Sequence, residues 1–182
     1  EAEIPSCGQP TGDMTMATEN IKKKKKVLIV DDEQDILDVL TELLSQCKID
    51  AAASFEQGKQ LLKTGDYHIA ILDIMGVNGF ELLRIANQRK IPALMLTAHA
   101  LTKENLKKSA EDGASYYAPT DEIHNIGLFV ADVLEAKEKE KNVWVKCLER
   151  LGNFYDTKFG GTDWRDQEKE FWEKKLRDYP GL

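Results

Sequence analysis

Ile69-Ala70-Ile71-Leu72-Asp73-Ile74-Met75-Gly76-Val77-Asn78-Gly79-Phe80 is the stretch whose reading decides the fold. Its first four residues are apolar with no polar alternation, which suits a strand buried on both faces of a parallel sheet. Asp73 ends the run. A carboxylate at the carboxyl end of such a strand points into the crevice where open α/β sheets hold ligands, and Gly76 and Gly79 let the chain turn sharply after it. On this stretch alone Asp73 is either a functional carboxylate or an ordinary loop cap, so a second signal is needed.

That signal lies upstream. Val27-Leu28-Ile29-Val30 is another fully apolar run, and it breaks directly into Asp31-Asp32-Glu33. Asp35 can then cap a helix whose apolar residues Ile36, Leu37, Val39, Leu40, Leu43 and Leu44 recur at helical spacing. Residues 49–53 read as a weaker strand, and 54–63 as a helix closed by Thr64-Gly65-Asp66. Beyond Asp73, residues 80–89 read as a helix and 91–96 as a strand ending at Thr97, with Pro92 at its entrance. Residues 102–111 form a helix with few apolar anchors, Gly113 stops it, 115–118 is a fifth strand, and a helix starts near Asp121. Five strand–helix repeats force parallel pairing with right-handed crossovers, so the fold class is α/β, a doubly wound five-stranded parallel sheet. In such a sheet Asp31, Asp32, Asp73 and Thr97 all reach one edge.

The 182 residues hold one domain and an appendage, divided here as an unstructured segment 1–24, a domain 25–136 and a helical extension 137–182. Met14 or Met16 is a possible biological start. Cys7, Cys47 and Cys147 are far apart and show no CxxC spacing, as expected of cytosolic thiols. No apolar run approaches the ~20 residues needed to cross a bilayer, so a cytoplasmic protein is expected. From Val27 to Leu134 there are 17 acidic residues against 9 Lys or Arg, and from Lys137 to Leu182 there are 10 against 11. The only cationic cluster, Lys22 to Lys26, reads as a solvated lead-in, and nucleic acid is not an expected partner.

Three converging carboxylates repel by roughly 4 kcal/mol per pair at ~4 Å and an effective dielectric of 20. Either protons are retained at raised pKa, or a hard divalent cation sits among them. Mg²⁺ suits the second option because it takes few carboxylates, keeps waters and leaves room for phosphate oxygens. A threonine hydroxyl on the neighbouring strand and free loop amides can then serve those oxygens, with Asp73 as the nucleophile that forms an acyl phosphate.

Taken in order, Val-Leu-Ile-Val-Asp-Asp-Glu at 27–33, Ile-Leu-Asp-Ile-Met at 71–75, Leu-Thr-Ala at 96–98 and Gly-Ala-Ser-Tyr-Tyr at 113–117 resemble a response-regulator receiver domain. The resemblance covers about residues 25–136. It implies a flavodoxin-like sheet of strand order 2-1-3-4-5, with Asp73 as phospho-acceptor and a Mg²⁺ site formed by Asp31, Asp32, Asp73 and the Met75 backbone carbonyl. It further implies Thr97 as the sensor of the phosphoryl group, Tyr117 as the aromatic that follows Thr97, and a sensor histidine kinase or phosphotransfer protein as donor. Such a protein is not an enzyme beyond the phosphorylation and dephosphorylation of its own aspartate. Tyr117 also fits a plain core aromatic. Two departures stand out. The lysine usual seven residues after Gly113 is Thr120, with Pro119 before it rather than proline after. The loop after Asp73 is about two residues short and lacks the usual proline. A charge-assisted hydrogen bond is worth roughly 1.5 to 3 kcal/mol, and a neutral hydroxyl does not replace it. Lys103 could reach in from the loop after Thr97, though a solvent-facing lysine is the simpler reading.

Past the domain, Ile123, Ile126, Val130, Val133, Trp144, Leu148, Leu151 and Tyr155 continue at helical steps across the charged run Lys137 to Lys141. The pattern allows one last helix of some nine turns. Gly160-Gly161 breaks it, and Thr162 or Asp163 caps a final helix with Trp164, Phe171, Trp172, Leu176 and Tyr179. All three tryptophans fall in this extension. It reads as a hairpin packing on itself, on the domain or on a second copy, with a homodimer or protein-partner surface expected from the aromatics. The leading expectation is a phosphorylated receiver. The rivals are a phosphorylation-independent pseudo-receiver scaffold, suggested by Thr120, and a Mg²⁺ phosphatase, which leaves Tyr117 and the missing cap domain unexplained.

Overall fold

The computed structural model describes residues 25–177. The segment 1–24, with Cys7 and most of the lysine cluster, lies outside them, as does Tyr179. Five strands form one parallel sheet: β1 (Lys26–Val30), β2 (Lys48–Ala52), β3 (Ile69–Asp73), β4 (Ala93–Thr97) and β5 (Tyr116–Pro119). Their order is β2-β1-β3-β4-β5, as the resemblance implies. Helices α1 (Gln34–Leu43), α2 (Phe55–Thr64), α3 (Gly79–Gln88), α4 (Lys103–Glu111) and α5 (Ile126–Glu138) cover both faces, and a 3₁₀ turn spans Thr120–Asn125. The apolar residues of β1, β3 and β4 are buried on both faces, as uninterrupted apolar runs require.

Local chemistry sets the boundaries. The Ser54 and Thr102 side chains accept from the amides of Gln57 and Asn105 at the starts of α2 and α4. Asp35 is not the cap of α1. Glu33 holds that place without a side-chain bond, and Asp35 sits in the first turn. The fifth strand begins at Tyr116, one residue later than expected, with the Ser115 amide bonded to the Ala93 carbonyl just ahead of it.

The extension departs most from expectation. There is no nine-turn helix. The chain breaks after Glu138, with Glu140 at φ 52°, and restarts as α6 (Val143–Lys158). The cause is Asn142, whose side chain accepts from the Trp144 amide and donates to the carbonyls of Lys175 and Leu176. A tertiary contact and a cap thus outweigh the charged run's helical preference. The final helix is also split, into α7 (Asp163–Gln167) and α8 (Lys169–Arg177).

α6 packs along β5. Trp144, Cys147, Leu151 and Tyr155, at helical steps on one face, are buried. The Trp144 indole N–H donates to the Ala114 carbonyl at 3.0 Å, and the Tyr155 hydroxyl donates to the Tyr117 carbonyl. Trp164 and Trp172 then close over Trp144 and Tyr155 through tilted and edge-on ring contacts. All three tryptophans are at most 5% exposed. The three tryptophans expected to form a partner surface are packed against the chain's own domain and one another, while Phe154, Phe159 and Phe171 of the extension stay partly exposed.

One buried charge ties extension to domain. Asp132 of α5 is 7% exposed, accepts from the Tyr116 hydroxyl at 3.2 Å, and is gripped through two nitrogens by Arg150 of α6. Removing one member of such a pair leaves an uncompensated charge indoors. Arg150→Ala should lower stability by at least about 2 kcal/mol, whereas an exposed control such as Lys146→Ala should change it by less than about 0.5 kcal/mol. Urea denaturation followed by tryptophan fluorescence checks both, and equal effects would show that the extension is not anchored through this pair.

Candidate functional site

The sheet register builds the site. Val30 pairs with Leu72, so Asp31 and Asp73, each one residue further, stand level on adjacent strands. Asp31 is buried, Asp73 half-buried and Asp32 exposed. One carboxylate oxygen from each lies within 4.8 Å of the others. Asp73 itself pairs with Leu96 in β4, which places Thr97 one step beyond it, and Thr97 pairs with Pro119 of β5. The sequence-expected carboxylates are thus brought together, with Thr97 on the adjoining strand end.

The loop after Asp73 achieves its shortness with glycine. Gly76 adopts φ 64°, and a Cβ there would lie 2.3 Å from the Asp32 carboxylate. Gly79, the first residue of α3, would bring a Cβ to 2.0 Å from the Asp73 carbonyl oxygen. At Gly79 a side chain would run into fixed backbone, and at Gly76 it would need a left-handed backbone and would displace the Asp32 carboxylate. The Met75 carbonyl accepts from the Val77 amide at 2.5 Å, which leaves its second lone pair for another partner.

The electrostatics follow from the crowding. Burial pushes the Asp73 carboxyl up to about 7, and the neighbouring charges of Asp31 and Asp32 add to the rise. Burial likewise raises Asp31 to about 6, against a lowering bond from the Glu33 amide at 2.9 Å. A donor set of three hard carboxylate oxygens facing solvent on one side suits a divalent cation such as Mg²⁺, whose charge would offset this repulsion.

Thr97 and Tyr117 are both buried and joined through one loop. The Thr97 hydroxyl oxygen accepts from the Ala100 amide at 2.9 Å. The Tyr117 hydroxyl donates to the Ala100 carbonyl at 2.9 Å and accepts from the Thr102 amide at 3.3 Å. Burial raises the Tyr117 phenol far above its ordinary value, so it stays a donor. Ala100 and Thr102 join the site only through backbone atoms, a role no side-chain pattern announces. Lys103 does not reach the carboxylates: its ammonium donates to Gln167 of α7 at 3.0 Å. Thr120 begins the 3₁₀ turn.

A doubly wound parallel sheet with an acidic notch at the carboxyl ends of β1 and β3 defines a class, and residues 27–119, half of the chain, match the response regulator receiver domain family. The chain belongs to that family. Over 98 residues it is 39% identical to the transcriptional regulatory protein CusR of Escherichia coli K12, covering 50% of this chain and 43% of that protein. It is 29% identical over 129 residues to the two-component response regulator ARR10 of Arabidopsis thaliana, covering 65% of this chain and 23% of that one. The chain therefore spans less than half the length of these curated relatives. Among solved structures, a CheY-like receiver domain protein from Methanospirillum hungatei superposes with a TM-score of 0.60 at 26% identity, covering 65% of this chain and 99% of its own. The BeF3-activated DrrB receiver domain superposes at 0.55, also 26% identical, covering 62% and 98% respectively. No described helix is long and apolar enough to cross a membrane.

Both raised carboxyls lie above their unfolded value of 3.8, so the folded chain holds more protons than the unfolded one between that value and about 6 to 7. Stability from these two groups is full below about pH 4 and is lost as pH rises to about 7. In chelator, Asp73→Asn should be more stable than wild type at pH 8, with the advantage shrinking as pH falls towards 4. Urea midpoints of both proteins across that range test this, and a pH-independent difference would contradict the crowding account. Gly76→Ala should be destabilising by about 1 to 3 kcal/mol, from strained φ and collision with Asp32, in the same assay.

Proposed function

We propose that the chain is a signalling receiver whose Asp73 accepts a phosphoryl group from a histidine of a sensor kinase or phosphotransfer protein. The observation that carries this reading is the meeting of Asp31, Asp32 and Asp73 within one 4.8 Å cluster, with Asp73 still reachable from solvent. An Asp73 carboxylate oxygen attacks phosphorus, the phosphorus–nitrogen bond to the donor imidazole breaks, and that imidazole leaves and takes up a proton. Asp31, Asp32 and Asp73, with the free lone pair of the Met75 carbonyl, would hold Mg²⁺. When bound, the ion supplies positive charge against the phosphoryl oxygens and removes the penalty for an ionised Asp73. Thr97 offers a hydroxyl to one phosphoryl oxygen. Beyond the turnover of its own acyl phosphate the chain acts through protein contacts and not as an enzyme, and it works in the cytoplasm.

A second reading, a scaffold that signals without phosphorylation, is favoured by Thr120 in place of a cation and by Lys103 being engaged elsewhere. Beryllofluoride with Mg²⁺, a phosphoryl mimic, separates the two. Saturable binding by fluorine NMR, abolished in Asp73→Asn, is the expected result, and no binding to the wild type would leave the scaffold. Thr120→Lys should tighten mimic binding by about tenfold or more, the worth of one charge-assisted bond. Unchanged or weaker binding would overturn the account of that position.

A further inference from the structure

α4 follows directly on the 98–102 loop, through which Thr97 and Tyr117 are hydrogen-bonded, and α7 and α8 grip this helix along its length. At its first residue Lys103 donates to Gln167 at 3.0 Å. One turn on, Lys107 pairs with Glu168 at 2.9 Å and lies 5.5 Å from the centre of the Phe171 ring. Near its end, the Ala110 carbonyl accepts from the Lys175 ammonium at 2.8 Å. These partners all belong to α7 and α8.

This grip is lighter than that of α6. α6 is fixed by the buried Asp132–Arg150 pair and four buried side chains on one face. α7 and α8 each bury a single side chain, Trp164 and Trp172. They follow α6 across Gly160-Gly161, at φ 78° and 134°. They are tied back to it by Asp156, which accepts from the Trp164 indole and the Arg165 guanidinium, and by Asn142, which donates to the Lys175 and Leu176 carbonyls. The clamp therefore sits with α6, and α4 is the part that moves against it.

We propose that α7 and α8 form an intramolecular clamp on α4, and that clamp and carboxylate notch are coupled through the 98–102 loop. The proposal rests on the acceptor reading above. Turning the Thr97 hydroxyl towards a group on Asp73 takes it from the Ala100 amide. Ala100 and Thr102 hold the Tyr117 hydroxyl, and Ala100 is also held by the Asn105 side chain of α4 at 2.9 Å. The loop and α4 therefore move together, and Gln167, Glu168 and Lys175 lose their register on α4. Coupling is reciprocal: what loosens the clamp favours the loaded notch by the same factor.

The chain carries its own reporter, since its three tryptophans all lie in the extension and two are on the clamp. With full-length protein, Mg²⁺ and beryllofluoride should shift tryptophan emission to the red and raise acrylamide quenching, both absent in Asp73→Asn. Glu168→Lys sets like charges against each other at an exposed contact. It should bind the mimic about threefold more tightly than wild type, by fluorine NMR titration, with an unchanged far-UV spectrum. Mimic binding with unmoved tryptophans, or with equal affinity in Glu168→Lys, overturns the clamp and leaves the acceptor reading standing. Absence of mimic binding to the wild type overturns both.

Discussion

Three carboxylates that a parallel sheet will not let apart are the constraint on which the molecule depends. Backbone ladders fix Val30 against Leu72, and so Asp31 beside Asp73. The buried apolar runs behind them leave no room to retreat. Asp32, the exposed member, lies close to Gly76, whose lack of a side chain leaves room for its carboxylate. The raised carboxyls of Asp31 and Asp73 record the unrelieved strain in charge. The notch is thus a place where adding positive charge or a proton lowers the energy of the whole fold.

Away from the notch, the extension completes the domain. α5 carries Asp132 into an apolar layer where, among the described residues, Tyr116 and Arg150 satisfy it. Tyr117, central to the loop beside the notch, has its carbonyl bonded by Tyr155 and its ring 6.0 Å from the Tyr155 ring. One tyrosine therefore faces the 98–102 loop with its hydroxyl and the extension with its backbone.

Much of this was legible in the residues. Uninterrupted apolar runs ending in Asp31 and Asp73 specify buried parallel strands, and the fixed polarity of such strands brings their ends together whatever their distance in sequence. Where reading failed, a contact distant in sequence decided the outcome. Within residues 137–142 the one local mark of a break is Asn142, a favoured cap that accepts from the Trp144 amide, and the charged run before it hides that mark, while its other bonds go to carbonyls more than thirty residues away. Lys103 could be weighed as pocket or solvent from its position, but its actual partner, Gln167, lies in a different part of the chain. The tryptophans announced a buried surface without saying against what. That answer needed the two carbonyls, Ala114 and Tyr117, which receive Trp144 and Tyr155.

Those two carbonyls belong to the outer margin of the sheet. A bare margin offers unpaired peptide groups to any extended chain that passes, a template for intermolecular strand addition. Here side chains from a helix occupy acceptors that a stray strand would otherwise take. At the opposite margin, β2 presents Lys48 and Asp50, charges that discourage the same approach. The molecule thus guards its two flanks against fibrillar association by different means: charge on one, and on the other a helical bolster whose loss would bare peptide groups as well as aromatic rings.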